Sequence, residues 1–177
     1  EPRSTVSLVI LSSIWLASLG NLALWQSFFA VPEISGWRGL LFGLAFGIVI
    51  ASLIAALLAI FAWRFTLKPA ITVLLLLAAF ASYYMLMYGV VVNSSMVQNV
   101  FQTDYREARD QLSWQLATTV VVLAVSPSFW IWKQVVLETS MAKQLLRNIG
   151  LFLASMLLAL GTLRSEEHTS ELQSPMF

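Results

Sequence analysis

The sequence predicts an all-α fold: a polytopic membrane protein with five transmembrane helices, plus one amphipathic helix between the third and the fourth. Of the 177 residues, 59% are hydrophobic and 11% are charged, whereas soluble domains carry about 25% charged residues. A domain of this size cannot hide so much apolar surface from water, because its own surface must be largely polar. The fold is therefore expected to form in a lipid bilayer.

Five segments are the candidates for membrane crossing, since a crossing helix needs about 20 mostly apolar residues. None of them contains Asp, Glu, Lys, Arg or His. They are residues 6–29, 39–63, 69–92, 116–132 and 149–163. The first exceeds the hydrophobic region of a cleaved signal peptide, which covers about 7–15 residues, so we expect it to be retained. The fifth, at 15 residues, would span only about 22 Å.

Proline and glycine residues mark two special positions in these helices. Pro127 removes a backbone donor from the fourth helix, and we expect neighbouring side chains, or Ser126 and Ser128, to satisfy the freed carbonyl. Gly39, Gly43 and Gly47 recur every four residues along one face of the second helix. Small residues at this spacing allow close helix packing, which we expect within the bundle rather than in a dimer.

The basic residues predict the orientation of the helices, because Lys and Arg in short loops favour the cytoplasmic side. With a cytoplasmic N-terminus, six basic residues fall inside: Arg3, Arg64, Lys68, Lys133, Lys143 and Arg147. Only Arg38, Arg106 and Arg109 fall outside. Five crossings then place the C-terminus on the outer face. The short turn at residues 64–68 also predicts that the second and third helices form a tight antiparallel hairpin.

The last fourteen residues differ abruptly from the rest of the chain. Residues 164–174, RSEEHTSELQS, read like the conceptual translation of a sequencing-library adapter. We therefore expect a membrane domain at residues 1–163 and a disordered, artefactual tail at residues 164–177. The single histidine, His168, lies in this tail beside Glu166 and Glu167, and we assign these three side chains no metal or acid–base role.

The longest polar stretch before the tail, residues 93–110, is the candidate for a binding site. Ser94 or Ser95 can cap a helix, and no Pro or Gly interrupts the residues that follow. The segment predicts an amphipathic helix on the membrane surface. Asn99, Thr103 and Glu107 then share one face, at i, i+4 and i+8. An amide, a hydroxyl and a carboxylate suit an ammonium and a phosphodiester, as in an ethanolamine phospholipid headgroup.

Residues 88–90, 96–104 and 107–108 resemble the periplasmic loop of the lipid A phosphoethanolamine transferases, the family that includes the mobile colistin-resistance enzymes. The five-helix layout and the early Gly20-Asn21 pair are also similar to the N-terminal domain of that family. The resemblance covers residues 5–163. It implies a multi-pass protein of the bacterial inner membrane, with a cytoplasmic N-terminus and a periplasmic C-terminus.

The resemblance implies an activity that this chain alone would not perform. Phosphoethanolamine would move from a phosphatidylethanolamine donor to lipid A as acceptor. Zinc and a threonine nucleophile would belong to a periplasmic catalytic domain that is missing from the chain. Asn99, Thr103 and Glu107 match the positions that line the donor headgroup site in the family. Thr103 is expected to bind and not to react, because no metal or base stands beside it.

Two alternatives to a transferase domain remain at this stage. A transporter would place charged or polar groups at mid-membrane, and the best interior candidates are Asn21 and Thr72, for which an interhelical hydrogen bond is a simpler explanation. A membrane scaffold without chemistry fits the composition equally well. The absence of cysteine excludes disulfides and thiolate metal sites, and the net charge of +1 argues against nucleic acid as a partner.

Overall fold

The computed structural model describes residues 4–31, 36–89, 113–134 and 140–171, and within these ranges its regular elements are all helical. The first part of the chain forms α1 (Thr5–Ala17), a 3-10 turn (Leu19–Asn21), α2 (Leu22–Phe29), α3 (Gly36–Ile60) and α4 (Leu67–Tyr88). The second part forms α5 (Trp114–Val120), a π-helical stretch (Val121–Val125), α6 (Ser126–Lys133) and α7 (Met141–Glu171).

These helices make five spans that are long and apolar enough to cross a membrane, which confirms the predicted number and order. The spans are Thr5–Phe29, Gly36–Ile60, Leu67–Met87, Trp114–Lys133 and Met141–Ser165. The amphipathic helix that we predicted between the third and fourth spans lies outside the described residues.

Hydrogen bonds between spans define two ends of the bundle. The start of the fifth span meets the end of the second, because Asn148 Nδ2 donates to the Ala62 carbonyl at 3.1 Å. The start of the third span meets the end of the fourth, because Lys68 Nζ donates to the Trp132 carbonyl at 3.3 Å. The end that holds these contacts and Thr5 is called the N-terminal end. The opposite end, which holds Gly89 and Ser113, is called the loop end.

The third span ends earlier than the sequence predicted. Its helix stops at Tyr88 and not at residue 92, because Gly89 adopts a left-handed φ of 61° and its amide donates to the Met85 carbonyl at 3.1 Å. Glycine takes this conformation without the steric cost that a Cβ would add. Hydropathy alone did not predict this helix end, because the apolar residues Val90–Val92 follow Gly89.

The fifth span begins eight residues earlier than predicted, at Met141 instead of residue 149. Polar residues at its start suggested a loop, but Gln144 and Asn148 are only 7% and 6% exposed. Gln144 Nε2 donates to the Ala62 carbonyl, and Arg147 Nη2 donates to Gln144 Oε1 at 2.6 Å. The helix also continues to Glu171, so its 31 residues measure about 46 Å instead of about 22 Å.

The last helix continues into residues 164–171, which belong to the tail that we expected to be disordered. A disordered tail was predicted from residue 164, whereas the backbone of residues 164–171 is helical. No Pro or Gly occurs between Gly161 and Pro175, and Glu is a good helix former. The origin of residues 164–177 and the domain boundary at 163 stay predictions.

The packing order of the spans differs from the chain order. The second span packs mainly against the fifth and the first, and only weakly against the third. The predicted tight hairpin of the second and third helices is therefore wrong, although the connection between them is short. The first span contacts both of them, and its Leu8 joins Leu58, Ile71 and Leu75 in the fully buried core.

The glycine stripe of the second span is used inside the bundle, as expected. A Cβ at Gly43 would lie 3.2 Å from Cε1 of Phe28, and a Cβ at Gly47 would lie 3.2 Å from Cη2 of Trp25. Phe28 also stacks on Phe46, with ring centroids 5.4 Å apart. The missing side chains of the two glycines make room for the aromatic rings of α2.

Pro127 leaves a free carbonyl in the fourth span, and a side chain of another span satisfies it. Proline lacks the N–H that would reach the Leu123 carbonyl four residues earlier. Trp15 Nε1 donates to that carbonyl at 3.3 Å. The partner is therefore a neighbouring span and not Ser126 or Ser128, the other option considered. The π-helical stretch lies directly before this point.

Candidate functional site

The bundle fixes both ends of the polar segment at residues 90–112. Gly89 ends the third span, and Ser113 caps the fourth by accepting a hydrogen bond from the Leu116 amide at 3.1 Å. The hydroxyls of Tyr83 and Ser113 are 2.5 Å apart, and Tyr83 is only 5% exposed. The segment therefore leaves and re-enters the bundle at one place, the loop end.

A second set of contacts holds the first span at the same end. The 3-10 turn at Leu19–Asn21 interrupts the helix there. Ser82 Oγ, beside Tyr83 on the third span, donates to the buried Gly20 carbonyl at 2.6 Å. Trp25 Nε1 donates to the Ala17 carbonyl at 2.7 Å. The turn thus joins the first span to the helix that carries one anchor of the polar segment.

Asn21 and Thr72, the two interior polar residues considered for a transport path, both make hydrogen bonds within the protein. Asn21 Nδ2 donates to the Leu16 carbonyl at 2.9 Å, so the interhelical bond expected for Asn21 is wrong and the contact is local. Thr72 Oγ1 donates to the Lys68 carbonyl and accepts from Trp132 Nε1 at 3.0 Å. That second bond does join two spans, as expected.

The predicted binding residues Asn99, Thr103 and Glu107 lie outside the described residues. Their common face stays a prediction. The structure describes the two residues that flank this segment, Gly89 and Ser113, and both lie at the loop end. Sequence reasoning missed Tyr83 and Ser113 as its anchors, although a serine directly before an apolar helical run is a recognised cap signal.

Charge is distributed unequally between the two ends among the side chains that the structure describes. Lys and Arg residues at the N-terminal end are Arg64, Lys68, Lys133, Lys143 and Arg147, and those at the loop end are Arg38 and Arg164. No Asp or Glu side chain falls within the described set. Among the described side chains, five positive charges therefore lie at the N-terminal end and two at the loop end.

Metal binding has no support in this part of the chain. Among the described residues no group of three or more His, Cys, Asp or Glu side chains could hold a metal ion. The full sequence has one histidine and no cysteine. These residues do not fit a zinc site.

Comparisons with known proteins agree with this architecture. The sequence profile described as "Phosphoethanolamine transferase EptA/EptB" matches residues 50–169. The chain is 35% identical over 99 residues to "Phosphatidylethanolamine transferase Mcr-1" of Escherichia coli, covering 56% of this chain and 18% of that protein. It is 28% identical over 118 residues to "Phosphatidylethanolamine transferase Mcr-2" of Escherichia coli, covering 67% and 22%.

A solved structure shares the fold. It is the integral membrane protein lipooligosaccharide phosphoethanolamine transferase A (EptA) from Neisseria meningitidis, with a TM-score of 0.81 and 24% identity. The similarity covers 98% of this chain and 33% of that one, so the chain spans at most a third of these relatives. Five apolar spans, the matched profile and this shared fold together show that the chain belongs to the phosphoethanolamine transferase EptA/EptB family and corresponds to its membrane domain.

Proposed function

We propose that this chain is the membrane domain of an enzyme that transfers phosphoethanolamine from phosphatidylethanolamine to lipid A. The membership in the EptA/EptB family carries the proposal. The catalytic domain would lie outside these 177 residues, and the chain would supply the surface that binds the donor lipid. By itself, the chain is expected to show no transferase activity, and detectable phosphoethanolamine transfer by it would contradict this division of labour.

In this proposal the donor headgroup binds to the polar segment at the loop end. Glu107 would pair with the ammonium, and Asn99 and Thr103 would supply hydrogen bonds to the headgroup. The anchoring of the segment supports the assignment. Because Tyr83 and Ser113 join the two spans that flank it at the loop end, we expect the segment to lie near the lipid headgroups.

The proposed orientation places the N-terminal end in the cytoplasm and the loop end in the periplasm, in the bacterial inner membrane. Five of the seven described Lys and Arg side chains lie at the N-terminal end, and basic residues favour the cytoplasmic side. Donor binding would then occur at the outer leaflet, where a periplasmic catalytic domain can reach it.

The proposed enzyme would use zinc. We assign it to the catalytic domain outside the chain, because the described residues offer no ligand set and the sequence has no cysteine. The task of this chain in the reaction is to hold and orient a lipid.

The proposal is tested by lipid retention in native mass spectrometry of the purified 177-residue chain. Equal amounts of phosphatidylethanolamine and phosphatidylglycerol with identical acyl chains would be offered. We expect preferential retention of phosphatidylethanolamine, weakened about ten-fold or more by Glu107→Gln, since hydrogen bonds to charged groups contribute about 1.5–3 kcal/mol.

The matched control is Asp104→Asn, which removes the same charge from a position about 100° away from the predicted binding face. It should leave retention unchanged. Equal retention by the parent chain, Glu107→Gln and Asp104→Asn would reject Glu107 as the ammonium partner. Loss with both variants would point to net charge and not to a site.

A further inference from the structure

Two basic residues of the fifth span share one face of their helix at the N-terminal end. Lys143 and Arg147 are four residues apart in α7, so their side chains are neighbours on the helix surface. Lys143 is exposed and Arg147 is half-buried. In the part of the chain that the structure describes, no Asp or Glu side chain occurs. The pair therefore presents two positive charges that no described carboxylate neutralises.

The guanidinium of Arg147 is held in place by a buried amide. Its Nη2 donates to Oε1 of Gln144 at 2.6 Å, and Gln144 is buried. Gln144 Nε2 in turn donates to the Ala62 carbonyl of the second span and to Thr5 Oγ1 of the first span. Three spans thus fix the amide that orients Arg147. Because this amide is neutral, it leaves the positive charge without a counter-ion.

Part of the guanidinium can reach a ligand. Arg147 has five N–H donors, and its Nε is buried without a partner, so Nε contacts no ligand. Nη1 makes no hydrogen bond with the described residues and is not among the buried atoms that lack a partner, so it is accessible. A half-buried cation without an anion costs free energy. Arginine binds phosphate especially well, through parallel N–H bonds.

The surroundings of Arg147 are those of a lipid and not of a soluble anion. Leu146 and Ile149, on either side of it in the sequence, are 75% and 47% exposed, and in a membrane span such side chains contact acyl chains. Gly150 and Ala154 continue the face of Arg147 toward the loop end. A Cβ at Gly150 would meet no atom within 4 Å. An acyl chain can therefore lie along this open strip, next to a phosphate at Arg147.

We propose that this face of the fifth span binds phosphatidylglycerol. The phosphodiester accepts hydrogen bonds from Arg147 and pairs with Lys143, and one acyl chain lies along Gly150 and Ala154. Phosphatidylglycerol carries a net negative charge, whereas the ammonium of phosphatidylethanolamine would be repelled by the two cations. The site lies at the end opposite the proposed donor site, and it does not depend on the proposed function.

The charge recognition is tested by native mass spectrometry of the full chain with phosphatidylglycerol as the only lipid offered. Lys143→Gln should weaken its retention about five-fold, since a basic residue near an anionic lipid contributes about 1 kcal/mol. Arg147→Gln should weaken retention at least as much, and Arg147→Lys, which keeps the charge, should weaken it less.

The matched control is Lys133→Gln. Lys133 is an exposed cation at the same end, but it lies on the fourth span, with its Nζ 4.3 Å from the ring centroid of Phe129. Its replacement should have little effect on retention. Equal losses with Lys143→Gln and Lys133→Gln would show a diffuse charge effect and would refute the site. Because Lys143 is exposed, its variant keeps the test decisive even if Arg147→Gln disturbs the contacts of Gln144.

The location is tested by photolabelling the full chain with phosphatidylglycerol that carries a diazirine in one acyl chain. Label should concentrate on the peptide that contains Gly150 and Ala154. A phosphatidylethanolamine probe with the same acyl chains should label this peptide several-fold less. Even labelling over all lipid-facing peptides, or equal labelling of this peptide by both probes, would overturn the proposal.

Discussion

Replacing Gly47 by leucine places a side chain directly against Trp25. A Cβ at position 47 would lie 3.2 Å from Cη2 and 3.3 Å from Cζ2 of the indole ring. The ring cannot retreat freely, because its Nε1 donates to the Ala17 carbonyl at 2.7 Å and it stacks on Phe29 with centroids 5.9 Å apart. The remaining carbons of leucine must therefore displace Trp25.

The cost can be worked out from these contacts. Overpacking a well-packed site costs about 1–3 kcal/mol, and loss of the Trp25 hydrogen bond adds about 0.5–1.5 kcal/mol. Replacing glycine in a helix interior raises the free energy of unfolding by about 0.5–1 kcal/mol, because glycine loses more conformational entropy on folding. We expect the free energy of unfolding to fall by roughly 0.5–4 kcal/mol, which is the sum of the two costs less the gain from removing glycine.

Gly150→Leu supplies the matched control, because a Cβ there meets no atom within 4 Å. Both substitutions gain the same helix propensity, so the difference between them isolates the packing cost. Unfolding of the full chain in bicelles, titrated with SDS, measures both variants. The unfolding constants should differ by between about ten-fold and a thousand-fold. Equal unfolding free energies for the two variants would refute the packing of α2 against the glycine stripe.

Two further predictions concern hydrogen bonds between spans. Trp15→Phe should lower the unfolding free energy by about 1–3 kcal/mol, because it leaves the Leu123 carbonyl unpaired. In a Pro127→Ala background the loss should shrink, since the new amide can donate to that carbonyl. If Trp15→Phe and Pro127→Ala changed the unfolding free energy additively, Trp15 would not be the group that satisfies the carbonyl freed by Pro127. For Tyr83→Phe and Ser113→Ala, a double-mutant cycle in the same assay should give a coupling of about 0.5–1.5 kcal/mol, and a coupling near zero would remove the proposed anchor of the polar segment.

The positions of the five spans followed from hydropathy, but two of their ends did not. Gly89 ends the third span within an apolar run, and only its left-handed φ reveals the stop. The fifth span begins among polar residues because Gln144 and Asn148 find partners in the Ala62 carbonyl. Local sequence does not show which polar side chains a distant loop will satisfy.

For the candidate site, too, the sequence supplies one part of the information and the tertiary structure supplies the other. The spacing of Asn99, Thr103 and Glu107 is a property of the sequence, and it stays a prediction because these residues lie outside the described part of the chain. The contact of Tyr83 with Ser113, 30 residues apart, depends on how the third and fourth spans meet. No periodicity within one span contains that information.

The sequence by itself determined that the chain is a five-span membrane bundle, because the transfer of each segment into lipid depends on the composition of that segment alone. The glycine stripe likewise predicted that another helix packs closely against the second span. Only the tertiary structure decided that the aromatic rings of α2 fill that space, that Trp15 satisfies the carbonyl freed by Pro127, and that the second span packs on the fifth instead of the third. In lipid, apolar surfaces have no strong preference for each other over acyl chains, so steric fit and the pairing of buried polar groups select the neighbours.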